Sequence, residues 1–309
     1  MQSSEEYVKF LGKGIYGSVD LVKCRKSDGS LFHAAVKTSD VDERDTLQKE
    51  FRILSELKGC PRIVQCFGDD LEEGVDEEGN KVYKLRLEYA SQGSLRAFMD
   101  MFQNGILPDS MIREFTSMIV EGLVSIHSHG YVHCDLKPDN ILVFPSKEYE
   151  DLYNLKISDF GICVKDGEVP DHWNAEYPFV GTANYMPPES FHDGAAKKAL
   201  DMWSLGCLVL EMYSGEHPWK GFKTEVLVSL LSGGHAPRIP EFVPCDAREF
   251  IETCFARNPK DRGTASDLLK HRFLREEEKK TENFDITAYC KYLRVFCCIL
   301  PLFQKLKLK

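Results

Sequence analysis

From Tyr7 to about Tyr89 the chain alternates short apolar runs with Gly, Asp and Asn, as in Val19 to Val22, Phe32 to Val36 and Val82 to Leu87. Runs of this length bounded by turn formers predict strands joined by hairpins. The pattern breaks once. Between Thr46 and Leu57 the apolar positions Leu47, Phe51, Leu54 and Leu57 recur at spacings of four, three and three, which predicts one helix accompanying a small sheet. After Gly93 the helical period takes over. Ser94 is placed to cap a helix running through Phe102, and Asp109 to cap a longer one whose Ile112, Phe115, Ile119, Leu123 and Ile126 form an apolar face. Two further helices are predicted near Asp201 to Tyr213 and Asp246 to Phe255. The expected architecture is α+β: a small β-rich lobe over residues 1–89, joined near Glu88 to Gly93 to a larger, mainly helical lobe over 90–274, with a tail of different composition over 275–309.

Composition narrows this picture. With 43% hydrophobic and 28% charged residues in 309, the chain reads as an ordinary soluble globular protein and exceeds the usual size of one compact domain. A formal charge of −10 argues against a nucleic-acid partner, because phosphate neutralisation needs a basic face. Eleven cysteines, an odd number, form no CxxC pair and no Cys/His ligand spacing, so they are read as reduced thiols. The first ten residues, MQSSEEYVKF, offer no apolar stretch for a signal sequence. Cytoplasmic location is therefore expected, with nuclear or peripheral membrane association as alternatives.

Two segments stand apart from their surroundings. Asp69 to Glu78 holds seven carboxylates in ten residues and is closed by Gly79 and Asn80, which favour a tight turn between strands. A solvated hairpin tip is the plain reading of such a charge run; a docking surface for a basic partner is the other. Residues 291–309 carry five basic groups and no acid. Their apolar centre, Val295 to Phe303, is far below the ~20 residues that span a bilayer, so no transmembrane segment is expected. That tail could lie on a membrane, with Cys297 and Cys298 suited to palmitoylation, or dock on the helical lobe as a hydrophobic strap.

Candidate chemistry begins at Gly12-Lys13-Gly14-Ile15-Tyr16-Gly17-Ser18-Val19, a glycine-rich turn whose backbone N–H groups could approach phosphates. The same spacing can open a dinucleotide-binding unit, but here Val19 to Val22 continues as a strand instead of a helix. Ala34-Ala35-Val36-Lys37 then sets a lysine at the end of an apolar strand, where its ammonium is costly unless paired. A surface lysine is one reading. The other pairs it with Glu50 on the following helix, with Glu43 and Glu56 as competitors. Further on stand His133-Cys134-Asp135-Leu136-Lys137-Pro138-Asp139-Asn140-Ile141-Leu142 and, nineteen residues past Asn140, Asp159-Phe160-Gly161.

These segments, in this order, resemble the eukaryotic protein kinases over about residues 7 to 274. The resemblance implies that Asp135 accepts the proton of a substrate hydroxyl, that Lys137 neutralises charge on the transferred group, and that Asn140 and Asp159 ligate Mg²⁺. Lysine at position 137 resembles the serine/threonine branch. For ATP it implies a cover made by Leu11, Gly12, Gly14 and Gly17, with Lys37 held toward the α- and β-phosphates by Glu50. Val19 and Ala35 would lie above the adenine, Leu142 below it, and the backbone of Glu88 and Ala90 beside it, with Leu87 as gatekeeper. Thr182 is expected to bond Asp135 and Lys137, Glu189 to pair with Arg262, and the helix opening at Asp201 to anchor the catalytic loop.

The departures matter as much. Cys134 stands where many kinases carry an arginine that clamps a phosphate on the activation segment. Between Gly161 and Gly181 there is no Ser or Thr, and Tyr177 is the one hydroxyl. Activity independent of Ser/Thr phosphorylation in this loop is therefore expected. Pro187 replaces the usual Ala, and Gly263 sits where proline often follows Arg262. In wording, EYASQGSLRAF, HCDLKPDNIL, GTANYMPPES and DMWSLGCLVLEMYSGEHPW resemble plant kinases classed with the MAP kinase kinase kinases. That implies a MAP kinase kinase as protein substrate. A pseudokinase that binds signalling partners without catalysis is the rival reading.

Overall fold

The computed structural model describes residues 5–14, 17–26, 28–146, 152–170, 181–191 and 194–275. The expectations placed on Tyr177, on Cys297 and Cys298 and on the tail lie outside the described residues. The first lobe is an antiparallel sheet of β1 (Glu6–Gly14), β2 (Gly17–Arg25), β3 (Leu31–Ser39), β4 (Cys66–Val75) and β5 (Lys81–Glu88), in the order β1–β2–β3–β5–β4. Strand β3 lies in the middle and is covered on both faces. Ala35 joins Leu85 and Leu87 in the main core, while Ala34 and Val36 meet Val22 and Cys24 in a separate apolar cluster, which is why small residues repeat there.

The predicted helix spans Arg44–Glu56 (α1) and buries Leu47, Phe51 and Leu54 as its period requires, with Ile53 and Glu50 added to the buried set. The acidic run forms the end of β4 and the turn into β5. Asp76 accepts the backbone N–H groups of Glu78 and Asn80 at 2.9 and 2.8 Å, and Gly79 takes the left-handed φ of 85° that the turn needs. Glu72 and Glu73 are already paired, with Arg86 and Lys81.

The second lobe contains α2 (Leu95–Met99), α3 (Asp109–Ser128), α4 (Lys198–Ser214), α5 (Thr224–Ser232), α6 (Cys245–Cys254) and α7 (Ala265–Leu268). Two short ribbons, β6 (Tyr131–Val132) with β9 (Val164–Lys165) and β7 (Ile141–Pro145) with β8 (Tyr153–Ile157), flank the loop between α3 and α4. Ser94 caps α2 by accepting the Ala97 N–H, but the helix stops at Met99 rather than Phe102, and a 3₁₀ turn, Gln103–Gly105, follows. Asp109 is not a cap. Pro108 holds that position, and the Asp109 carboxylate instead accepts from Arg113 and Tyr213.

Helix α4 is apolar around nearly its whole circumference and is buried around it. It is the post on which the lobe is built. Its approach to α6 depends on Gly206, where a Cβ would stand 2.7 Å from the Cβ of Cys254 and 2.9 Å from the Phe255 ring. Beyond α6, Gly263 has a φ of 71°, a value that proline's ring cannot adopt, so glycine at that position follows from the local backbone. Among the described residues no helix is long and apolar enough to cross a membrane.

Candidate functional site

The loop between β6 and β7 is held from below by Asp201 in the first turn of α4. This wholly buried carboxylate accepts the backbone N–H of His133 at 2.9 Å and of Cys134 at 3.0 Å, and the Nε2–H of His127 at 2.8 Å. Burial works against its charge, but the bond and attraction from His127 and the His133 contacts outweigh it and hold the carboxyl below the usual range. Cys134 is left-handed, with φ 68°; its two neighbours are thereby turned to opposite sides. His133 is fixed inward, its Nδ1 3.3 Å from the Asp135 N–H and its Nε2 3.0 Å from the Ser158 carbonyl.

Asp135 points the other way and gathers three donors. Lys137 Nζ lies 2.7 Å from Oδ2, the Asn140 amide donates to Oδ2 at 2.9 Å, and the Thr182 hydroxyl donates to Oδ1 at 2.8 Å. Lys137 also donates to Thr182 Oγ1 at 2.8 Å, so the expected bonds of Thr182 to both residues are present. The Asn140 nitrogen is used twice, on the Asp135 side chain and on its carbonyl at 2.8 Å, which commits the amide's orientation and leaves its oxygen facing away from Asp135.

A second cluster forms at the sheet. Lys37 Nζ is 2.7 Å from Glu50 Oε2 and 2.8 Å from Asp159 Oδ1, and the other Glu50 oxygen accepts the Phe160 N–H at 3.2 Å. The competitors are engaged elsewhere: Glu43 accepts from Thr46, and Glu56 from Tyr131. Burial opposes the Lys37 charge, but Glu50 and Asp159 together overcome it and lift the ammonium above the ordinary lysine range. For Asp159 burial acts upward and the Lys37 attraction and bond win, holding the carboxyl low; for Glu50 burial wins and its pKa is raised. Asp159, like Cys134, is left-handed, with φ 62°. The two clusters are joined through Ser158, whose N–H and hydroxyl both donate to the Asn140 carbonyl at 2.9 Å.

The remaining predicted residues line the sheet side and the lobe junction. In register, Gly12 faces Val19, Gly14 faces Gly17, Val19 faces Lys37 and Ala35 faces Leu87. Leu11 is exposed on β1. A Cβ on Gly12 would meet nothing within 4 Å, so the space beside that turn is open. Gly17 is glycine for a different reason than phosphate approach: its φ is 137°, and a Cβ would fall 1.9 Å from the Thr38 carbonyl oxygen on β3. Leu142, on β7, bridges to Ser94. The Glu88 side chain is taken by Lys156 at 2.6 Å and the Gln65 N–H at 3.0 Å, and the Ala90 carbonyl by the Gly93 N–H.

Sequence reasoning missed His127 and Ser158. His127 lies on the buried face of an apolar helix, where a histidine reads as packing, and Ser158 has no signal beyond its place before Asp159. The Glu189 expectation holds: Arg262, wholly buried, pairs with it through both terminal nitrogens, at 2.5 and 2.8 Å, and stacks on the Trp203 ring at 5.0 Å. Cys134 packs among Val132, Val164, Ala196 and Leu200. Burial, with Asp201 beside it, pushes its thiol well above the usual range, so the side chain stays neutral.

Comparison with known proteins agrees with this geometry. A family model described as "Protein kinase domain" matches residues 6–274. The chain is similar to mitogen-activated protein kinase kinase kinase 20 of Arabidopsis thaliana, 35% identical over 89% of this chain and 80% of that protein. It is also similar to mitogen-activated protein kinase kinase kinase 17 of the same plant, 34% identical over 86% of this chain and 68% of that one. A serine/threonine-protein kinase of Saccharomyces cerevisiae is 32% identical over 94% of this chain, which spans 20% of the yeast protein.

Proposed function

Because the chain belongs to the protein kinase family and is a protein serine/threonine kinase, we propose that it phosphorylates a MAP kinase kinase, with Asp135 as the group that receives the substrate hydroxyl. The observation that carries the assignment of roles is the single network running from Lys37 through Asp159 and Ser158 to Asn140, Asp135, Lys137 and Thr182. Phosphoryl transfer asks a protein mainly for positioning and charge stabilisation. Asp135, its two oxygens fixed by three donors, orients the hydroxyl and takes its proton. Lys137 stands beside it as the cation nearest the group in transit. Lys37, kept charged by two carboxylates, is the cation for the nucleotide.

Family membership implies ATP as phosphoryl donor and Mg²⁺ as its usual companion, and the donor set fits a hard cation. Asp159 supplies a carboxylate that stays ionised and keeps a side-chain exposure of 41%, and Asn140 an amide oxygen not spent on Asp135. Bound Mg²⁺ supplies neutralisation of phosphate charge. The open space at Gly12 is where backbone could come close to phosphate oxygens.

The MAP kinase kinase substrate rests on the Arabidopsis relatives, whose names state that role for them. Purified full-length chain, radiolabelled ATP and catalytically inactivated MAP kinase kinases test it: label on their serine or threonine residues is expected. Label on other proteins with none on any MAP kinase kinase would discard the substrate while leaving the kinase.

Cys134 bears on control. An activation-segment phosphate is ordinarily gripped by an arginine fork, and here the position holds a neutral thiol inside an apolar cluster. Protein treated with a phosphatase is expected to keep full activity. Activity that vanished and returned on rephosphorylation within residues 162–181 would show that another group does the clamping.

A further inference from the structure

Helix α1 is tied to the second lobe at two points. Its Glu50 accepts the Phe160 N–H at 3.2 Å, and its last residue, Glu56, reaches the short ribbon of β6 and β9. There Glu56 Oε2 accepts the Tyr131 hydroxyl at 2.8 Å and lies 3.5 Å from Lys165 Nζ. Tyr131 and Lys165 are direct partners across the ribbon, so both side chains rise from one place. The ammonium stands over the Tyr131 ring, 3.5 Å from its centre, and donates to the His129 carbonyl at 3.3 Å. Tyr131 is buried, which gives its hydroxyl a fixed direction. The Tyr131 bond, with Lys165 beside it, holds the Glu56 carboxyl below the usual range.

The elements that meet in this clasp are those that carry the chemistry. Tyr131 stands four residues before Asp135, Lys165 six after Asp159, and Glu56 six after Glu50. Six residues of α-helix rise about 9 Å, so the two ties on α1 lie well apart along its axis. A helix held at Glu50 alone can pivot about that point, and a second, distant tie removes the pivot. That motion decides whether Glu50 Oε2 stays 2.7 Å from Lys37 Nζ. We propose that Glu56 is a positioning residue for the transfer: clasped by Tyr131 and Lys165, it fixes the setting of α1 and so keeps Glu50 on Lys37 while the nucleotide is bound. The Glu56 and Lys165 side chains are each 45% exposed, so their ion pair contributes little to stability, and its loss is expected in turnover instead. The proposal rests on Lys37 serving as the cation for the nucleotide.

The test uses the full chain, radiolabelled ATP and dephosphorylated casein as a generic serine substrate. Glu56→Ala is expected to lose about tenfold in kcat/KM for ATP, the scale of one charge-assisted hydrogen bond, while KM for casein and Tm stay near wild type. Tyr131→Phe, which removes only the hydroxyl, and Lys165→Met should each lose about threefold, whereas Lys165→Arg should keep wild-type turnover. Positioning through Glu50 also requires non-additivity: in Glu50→Gln/Glu56→Ala the second change should remove less than about twofold beyond Glu50→Gln alone. Losses that multiply in the double variant overturn the proposal, as does a folded Glu56→Ala with wild-type kcat/KM or one whose only change is a lower Tm. Glu50→Gln separates the two readings: a loss there with none in Glu56→Ala defeats the clasp alone, whereas wild-type kcat/KM in Glu50→Gln defeats the Lys37 reading as well.

Discussion

Asp135→Asn is expected to lose about 10²- to 10⁴-fold in kcat, the range over which a positioned general base contributes. The substitution keeps the size of the side chain and removes its charge and one acceptor. In the native loop Oδ2 serves Lys137 and Asn140 while Oδ1 serves Thr182, so an amide nitrogen must face one of those groups. The Thr182 hydroxyl can reverse and accept; the Lys137 ammonium cannot. The amide is therefore expected to turn its nitrogen toward Thr182, preserving the loop while losing the proton acceptor. Steady-state assay beside thermal denaturation checks both parts. Turnover within tenfold of wild type would mean that another group takes the proton.

The largest effect on stability is expected at Asp201. In Asp201→Ala the His133 and Cys134 N–H groups and His127 Nε2–H lose their acceptor inside the core. Each buried donor left unsatisfied costs about 1–3 kcal/mol, so a loss of about 3 kcal/mol or more follows, seen as a fall in Tm of roughly 6–12 °C. The sign with pH can be worked out. The folded Asp201 carboxyl lies below its ordinary value, so its stabilisation is fully present above the unfolded pKa of about 3.9 and fades as pH falls through the lower folded value. Thermal denaturation of both proteins across pH should show the gap widest near neutrality and closing below about pH 4. A gap that stayed constant into acid would mean that Asp201 acts through shape alone.

The strands and α1 were legible because each has one dominant period, and the two chemical segments because their residue types recur in a fixed order. Other features were hidden for physical reasons. Three glutamates, Glu43 just ahead of α1 and Glu50 and Glu56 within it, competed for Lys37, and composition could not choose among them; Glu50 wins because it shares the buried face with Leu47, Phe51 and Leu54. Asp109 looked like a cap, yet Arg113 and Tyr213 compete for the same carboxylate and take it. Helix α5 escaped because Val226, Leu227, Val228, Leu230 and Leu231 run almost unbroken around it, while the structure buries only Leu227 and Leu231. The cluster in which Arg96 meets Glu211 and the Tyr185 hydroxyl donates to that same carboxylate joins three distant segments, so no local pattern announces it.

Asp201 can hold the catalytic loop only if α4 itself is seated correctly, and that seating depends on the missing side chain at Gly206. One added methyl there would meet Cys254 and Phe255 and wedge the post sideways, and every bond from Asp201 to His133 and Cys134 travels with the post. Displacements near 1 Å can remove about 10²-fold in rate. Gly206 thus behaves as a tolerance in the machining sense: a clearance, not a contact, fixes how accurately a carboxylate one and a half turns away meets its loop. A survey of this chain for reactive groups would pass over it, and a survey of permitted volumes would find it first.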